Sequence, residues 1–160
     1  MAVSCTFSLN NKSSSVLHCE GFGDLPAFSG AAGAVDNPAK VGIPMVGPLP
    51  RGLYYIVGRQ SGGRFGWLYE LVHRYILQSD QSDWFALYRA DGQIDDYTFI
   101  EGIKRGNFRL HPAGIRGISE GCITVVDRTG YARLRTKILG GQMMSIPGAG
   151  MLAYGTVEVR

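Results

Sequence analysis

The chain has 160 residues, of which 45% are hydrophobic and 18% charged, with a net charge of +3. That length and hydrophobic share are enough for one domain with a real core and exclude a disordered chain. The mild charge, with no Lys/Arg cluster interleaved with aromatics, argues against nucleic acid, and no run reaches the roughly 18 apolar residues that a membrane-spanning helix needs.

Residues 3–9 and 15–19 alternate apolar and polar like two strands. A hairpin centred on Lys12 places Cys5 opposite Cys19 and Phe7 opposite Leu17 on one face. The three cysteines, Cys5, Cys19 and Cys122, fit a pair plus one free thiol. The pair reads equally well as a disulfide formed in an oxidising compartment and as two buried thiols. Gly21 to Gly52 is rich in Gly, Pro and Ala and reads as one long ordered loop wrapping the core, over about 21–52. A strand succeeds it over 53–57.

Phe65, Leu68, Val72, Tyr75 and Ile76 recur at helical spacing and predict an amphipathic helix over 65–77. Residues 84–89 read as a strand ending at an Asp91-Gly92 turn. Short strands come next over 97–100 and 107–110, and a β-branched strand starts at Cys122. Asp127 can cap a helix whose apolar face is Tyr131, Leu134 and Ile138, stopped by Gly140-Gly141. A last strand covers 156–159. With 23 glycines scattered without a period, the chain reads as mostly β with two helices, in a single domain over 1–160.

The chemistry concentrates between His111 and Cys122. The stretch ends Ser119-Glu120-Gly121-Cys122, a cysteine in a turn of small residues. Acyl transfer by a thiol needs a thiolate nucleophile, an imidazole that keeps it deprotonated, and backbone N–H groups for the oxyanion. Cys122, His111 and Gly121 supply these, and Ser119 reads as a hydrogen-bond donor or turn former. His111 comes after the 107–110 strand, where Pro112 and Gly114 force a turn. His18 and His73 have no comparable context. No Cys-x-x-Cys or His-x-x-x-His spacing suggests a metal, no phosphate-binding glycine loop suggests a nucleotide, and no Gly-x-Ser-x-Gly elbow makes Ser119 the nucleophile, so no cofactor is expected.

Arg109-Leu110-His111-Pro112 followed by Ser119-Glu120-Gly121-Cys122-Ile123 resembles the L,D-transpeptidase signature, a histidine followed by Ser-x-Gly-Cys. Gly155-Thr156-Val157-Glu158-Val159 is similar to that family's last strand. Pro26-Ala27-Phe28-Ser29-Gly30 and Gly47-Pro48-Leu49-Pro50, with Gly52 and Tyr54-Tyr55-Ile56, resemble more narrowly its type VI secretion effector branch. The resemblance implies a β-sandwich or partial barrel with flanking helices. It implies Cys122 as nucleophile, His111 as base, and Ser119 and Gly121 as their support. It also implies a backbone carbonyl orienting the histidine, for which the Pro112-Ala113 turn is the candidate. Glu120 stands where housekeeping members carry a second histidine, and Thr124 stands two residues after the cysteine, where they often carry Arg or Asn nearby.

The activity that the resemblance implies is that of a peptidoglycan acyl transferase. It would remove the terminal D-Ala from tetrapeptide stems as an L,D-carboxypeptidase and exchange D-amino acids as an L,D-transpeptidase. Its partners would be peptidoglycan stem peptides, type VI secretion components and a cognate immunity protein. No basic segment followed by an apolar core occupies the first twenty residues, so the expectation is synthesis in the cytoplasm without a signal peptide and delivery to a target periplasm. Arg109, Tyr54, Phe28 and Ser29 are the candidate substrate contacts. Two rivals remain. A papain-like thiol hydrolase places its cysteine before its histidine, opposite to the order here. A non-catalytic wall-binding module would use Trp67, Trp84, Tyr54 and Tyr55 as a sugar platform, although such aromatics more often pack a core.

Overall fold

A computed structural model describes residues 1–58, 83–114 and 119–160. The predicted helix over 65–77, with Trp67 and His73, lies outside the described residues. Val3–Phe7 (β1) and Ser15–Cys19 (β2) form the expected hairpin with the expected register, Cys5 opposite Cys19 and Phe7 opposite Leu17. The two alternatives for the cysteines resolve to a Cys5–Cys19 disulfide, leaving Cys122 as the free thiol. Burial alternates strictly along both strands, and Cys5, Phe7, Leu17 and Cys19 point inward.

The segment read as one loop over 21–52 is corrected at its start, because Gly23–Phe28 is a strand (β3) paired with β2. Its Gly and Pro gave it a loop-like composition. Its alternation is that of a strand, with Leu25 and Ala27 buried. Pro26 is tolerated because its carbonyl, and hence its nitrogen, faces away from β2 and accepts from the Val126 N–H. The missing donor therefore withdraws nothing from the β2 ladder. The remainder of the segment is irregular apart from one short 3-10 turn, Pro38–Lys40.

Gly52–Val57 (β4) and Phe85–Arg89 (β5) pair antiparallel. Tyr97–Ile100 (β6) and Ile103–Gly106 (β7) form a separate two-stranded ribbon. The strand expected over 107–110 is displaced: β8 is Arg109–Pro112, so His111 and Pro112 lie within the strand and not in a turn after it. The cause is local, since Asn107 takes a left-handed φ of 63° and gives its N–H to the Asp96 carbonyl, which ends the ribbon before the new strand begins. Ile123–Val125 (β9) is followed by the helix Arg128–Gly140 (α1), whose N-cap is Asp127 accepting from the Thr129 N–H and whose end is Gly141. Tyr131, Leu134 and Ile138 are its buried face, as the spacing predicts. Met144–Ile146 (β10) and Met151–Ala153 (β11) form a short hairpin for which the sequence pattern gave no signal, and Gly155–Val159 (β12) ends the chain's strands.

Eight of these strands close a barrel in the order β1-β12-β4-β5-β8-β9-β3-β2. Closure leaves no exposed sheet edge in that sheet. The partial barrel expected from sequence is therefore a complete one. Phe7, Leu17, Tyr54, Ile56, Leu110, Ile123, Val125 and Val157 fill a core that is continuous with the helix residues Tyr131, Leu134 and Ile138. A second, smaller cluster joins the outer side chains of β4 and β5 (Tyr55, Val57, Ala86 and Tyr88) to Ile146 and Ala153 of the β10–β11 hairpin. Two strand pairs in the barrel are parallel, β1 with β12 and β8 with β9, and the second of these builds the site.

Candidate active site

In the β8–β9 pair Leu110 stands opposite Ile123, His111 opposite Thr124 and Pro112 opposite Val125. Leu110, Ile123 and Val125 point into the core. Side chains alternate along a strand, so the intervening residues Arg109, His111, Cys122 and Thr124 share the opposite face. A parallel pair carries both strands in the same direction. The result is a quartet in which Arg109 faces Cys122 on one rung and His111 faces Thr124 on the next.

The His111 ring is held on three sides. Its Nδ1 donates to the Pro112 carbonyl at 2.8 Å, the backbone orientation that the Pro112-Ala113 segment was expected to supply. That bond fixes the tautomer with Nε2 as acceptor, and the Thr124 hydroxyl sits against Nε2 at 3.3 Å. The Trp84 indole stacks on the ring, with centroids 4.4 Å apart and planes 21° apart. Burial is the main reason that the imidazole pKa falls to about 4; the Pro112 bond opposes the shift and the nearby Arg109 charge adds to it.

Cys122 is half-buried. Burial pushes its thiol up to about 11, opposed by the Arg109 charge and by the Arg109 backbone hydrogen bond to the sulfur. Its sulfur also lies 3.8 Å from the Asn107 carbonyl. Both shifts favour the neutral forms of the pair at rest, and the Thr124 hydroxyl occupies the Nε2 lone pair through which His111 was expected to deprotonate this cysteine. Arg109 is spoken for as well, because its guanidinium binds Asp96 through two bonds of 2.6 and 2.7 Å. It acts on the thiol as a buried charge.

The turn before Cys122 is fastened from both sides. The Ser119 hydroxyl donates to the Cys122 carbonyl at 2.8 Å and accepts from the Gly30 N–H at 3.2 Å. Gly121 has a φ of 102°, and a Cβ there would lie 2.7 Å from Arg105 Nη2. Both facts demand glycine at that position. Arg105 is buried and donates to the carbonyls of Val41, Gly47 and Pro48, pinning the 41–48 loop against β7. Burial lowers its pKa.

The other candidate contacts lie behind this surface. Tyr54 is fully buried, gives its hydroxyl to the Pro50 carbonyl and packs edge-on against Phe108. Ser29 is fully buried, with its hydroxyl accepting from the Leu49 N–H and its N–H donating to the Asp36 carboxylate. Phe28 is half-buried and pairs with Thr124 across β3 and β9. None of the three presents a free polar group to the cleft; they hold the loop that holds Ser119. The aromatics of the wall-binding alternative are placed similarly, with Tyr54 and Tyr55 buried and Trp84 against His111.

Asp36 ends this chain of loop contacts. It is fully buried, and desolvation lifts its carboxyl to about 6 from 3.8, opposed by the Ser29 bond. A raised carboxyl means that the folded state holds the proton more tightly. The contribution is favourable below the unfolded value of 3.8 and is lost as pH rises through about 6, at a cost of up to about 3 kcal/mol by pH 7.5. Asp36→Asn keeps an acceptor for Ser29 and tolerates the left-handed φ of 49°. Urea denaturation should therefore find the variant more stable than wild type by about 1–2 kcal/mol at pH 7.5, a smaller gain because a buried amide N–H₂ is added. The difference should close near pH 4. A loss of stability at both pH values would refute the account.

Cys122 opens onto a cleft of about 220 Å³, walled by Met45, Tyr97, Lys104, Asn107 and Glu120 among others. Sequence reasoning did not assign Lys104, Asn107 or Trp84 to the site. Thr124 was legible as a departure from the resembling family and, lying two residues beyond Cys122 on a strand, had to share its face. Trp84 had no such signal, because its contact with His111 depends on the β5–β8 pairing. Among the described residues no group of three His, Cys, Asp or Glu side chains is placed to hold a metal.

Residues 23–149 match the family model described as the Tlde1 domain. No curated protein and no solved structure matches the chain.

Proposed function

The chain belongs to the Tlde1 domain family, type VI secretion effectors of the L,D-transpeptidase type that modify peptidoglycan, and on that premise we propose that Cys122 is the nucleophile of an L,D-acyl transfer on peptidoglycan stems. The observation that carries this reading is the quartet on β8 and β9. It places the free thiol at a cleft, with an oriented neutral imidazole diagonally across one rung.

The reaction begins with the Cys122 sulfur attacking the carbonyl between the third stem residue, a diamino acid, and the terminal D-Ala. His111 Nε2 takes the thiol proton as the C–S bond forms, and to do so it must exchange its Thr124 contact for the sulfur. Such catalytic hydrogen bonds commonly tighten only with substrate bound. The N–H groups of Gly121 and Cys122 receive the oxyanion, in the turn that Ser119 fastens. His111 then returns the proton to the leaving D-Ala amine. Water resolves the thioester as a carboxypeptidase product, a free D-amino acid resolves it as exchange, and a stem amine as a cross-link. Trimming and exchange deplete the acceptor stems of a competitor's wall, which is the toxic outcome.

Family membership carries secretion by a type VI machine and action in a target cell. We place that action in the periplasm. The Cys5–Cys19 disulfide supports this, because such bonds persist in oxidising compartments. A cognate immunity protein in the producing cell belongs to the same proposal.

The test is mass spectrometry of purified tetrapeptide muropeptides incubated with wild type and Cys122→Ala, with and without D-Met. Wild type should remove D-Ala or replace it with D-Met, and the variant should do neither. Equal product from both proteins would reject Cys122 as the nucleophile, and unchanged muropeptides with a folded wild type would reject the substrate.

A further inference from the structure

Arg105 lines the Cys122 cleft and Arg109 faces Cys122 from β8, and the protein itself binds both guanidinium groups. Arg105 donates to three backbone carbonyls and Arg109 to the Asp96 carboxylate. Lys104 differs from both. The β6–β7 register places Lys104 opposite Phe99 and Gly106 opposite Tyr97, so Lys104 and Tyr97 share one face of the ribbon. The Lys104 ammonium rests 3.8 Å above the centre of the Tyr97 ring. Lys104 is exposed and forms no ion pair with a carboxylate among the described residues. The electron-rich ring face restrains the ammonium without neutralising it. Lys104 and Tyr97 both line the cleft onto which the Cys122 thiol opens.

Beside them, Asn107 holds its left-handed backbone conformation at the end of the ribbon. Its side-chain carbonyl oxygen is buried and has no hydrogen-bond partner among the described residues. A buried acceptor left unpaired is costly. Its burial beside the nucleophile marks a polar wall of the cleft. The cleft thus offers an open cation next to the thiol.

We propose that Lys104 binds a carboxylate of the acyl-donor peptide. The proposal rests on the acyl-transfer reading of Cys122 for the identity of the donor, and it makes Lys104 a specificity residue for anionic stems. A stem ending in a carboxylated diamino acid and D-Ala brings two carboxylates near the scissile carbonyl: the terminal one, and the one at the end of the diamino-acid side chain. The chemistry that Lys104 recognises is common to both.

The test uses three synthetic tetrapeptide stems: unmodified, amidated at the C-terminus, and amidated on the diamino-acid side chain. Calorimetry measures their binding to Cys122→Ala and to Cys122→Ala/Lys104→Met, so that turnover does not interfere. Lys104 is exposed, so its replacement spares the core, and a melting curve checks that. Lys104→Met should weaken binding of the unmodified stem by about tenfold or more, the loss of a charge-assisted hydrogen bond. It should leave unaffected the one amidated stem that has already lost the recognised carboxylate. Insensitivity of the C-terminal amide identifies the leaving-group carboxylate, and insensitivity of the side-chain amide identifies the diamino acid. Equal weakening of all three stems, or of none, or no binding of the unmodified stem at millimolar concentration, overturns the proposal. Turnover by otherwise wild-type protein separates the two claims. If the unmodified stem binds in a Lys104-dependent way but D-Ala is never released, the acyl-transfer reading fails while Lys104 recognition stands. If turnover proceeds, Lys104→Met should raise KM about tenfold and leave kcat within about twofold.

Discussion

Replacing His111 with alanine should slow D-Ala release by roughly 10²–10⁴-fold at pH 7, and the remaining rate should climb tenfold per pH unit. Both halves of that result come from the neutral resting pair. With the Cys122 thiol at about 11, only on the order of one molecule in ten thousand carries a thiolate at pH 7. Without a base the enzyme depends on that fraction, which grows tenfold per unit up to the thiol pKa. Wild type should behave differently. His111, at about 4, is already an unprotonated base above pH 5, so kcat/KM should be flat from about pH 5 to pH 10. Iodoacetamide checks the same point without substrate, because Cys122 is the one free thiol. Its alkylation should rise tenfold per pH unit and reach a plateau only near 11. A plateau already present at pH 6 would mean a preformed thiolate–imidazolium pair, and the neutral-pair mechanism would be wrong.

The neutral pair also shows where sequence reading reached its limit. The Ser119-Glu120-Gly121-Cys122 turn and the histidine before it were legible because they are local: glycine, serine and cysteine at fixed offsets. The Cys5–Cys19 register was legible for the same reason, since a hairpin fixes its own pairing. The helix from Arg128 to Gly140 announced itself by its cap, its apolar spacing and its terminal glycines. The electrostatics of the site were not legible, because they depend on contacts distant in sequence. Trp84 reaches His111 from a neighbouring strand, Arg109 is claimed by Asp96, and Ser119 is bonded to Gly30, 89 positions away. Composition misled at Gly23–Phe28, where Gly and Pro masked an inward alternation of Leu25 and Ala27. Nothing in the sequence signalled that Tyr54 and Ser29 are fully buried, bonded to Pro50, Leu49 and Asp36.

Opening the Cys5–Cys19 bridge should cost about 3 kcal/mol of stability, the chain-entropy value for a loop of this length, and lower the melting temperature by roughly 10 °C. The bridge joins β1 to β2 within the closed barrel, and β1 pairs on its other side with the final strand β12. Losing the tie therefore loosens the chain's first hairpin together with its last strand. Both cysteines are buried among apolar neighbours, so Cys5→Ala/Cys19→Ala is the suitable replacement, since serine would add two buried hydroxyls. The strands β8 and β9, which carry the proposed nucleophile and base, do not pair with β1, so below the melting transition kcat/KM should stay within about twofold of wild type. Melting the wild-type protein with and without a reductant that spares the fold at 25 °C gives the same comparison without mutation. A difference of less than about 2 °C in both experiments would show that the bridge adds nothing to the barrel. A difference of the expected size has a consequence for the proposed delivery. The same chain would be weaker by that amount in a reducing cytosol, and it would gain the bridge only in an oxidising compartment such as the periplasm proposed for its action.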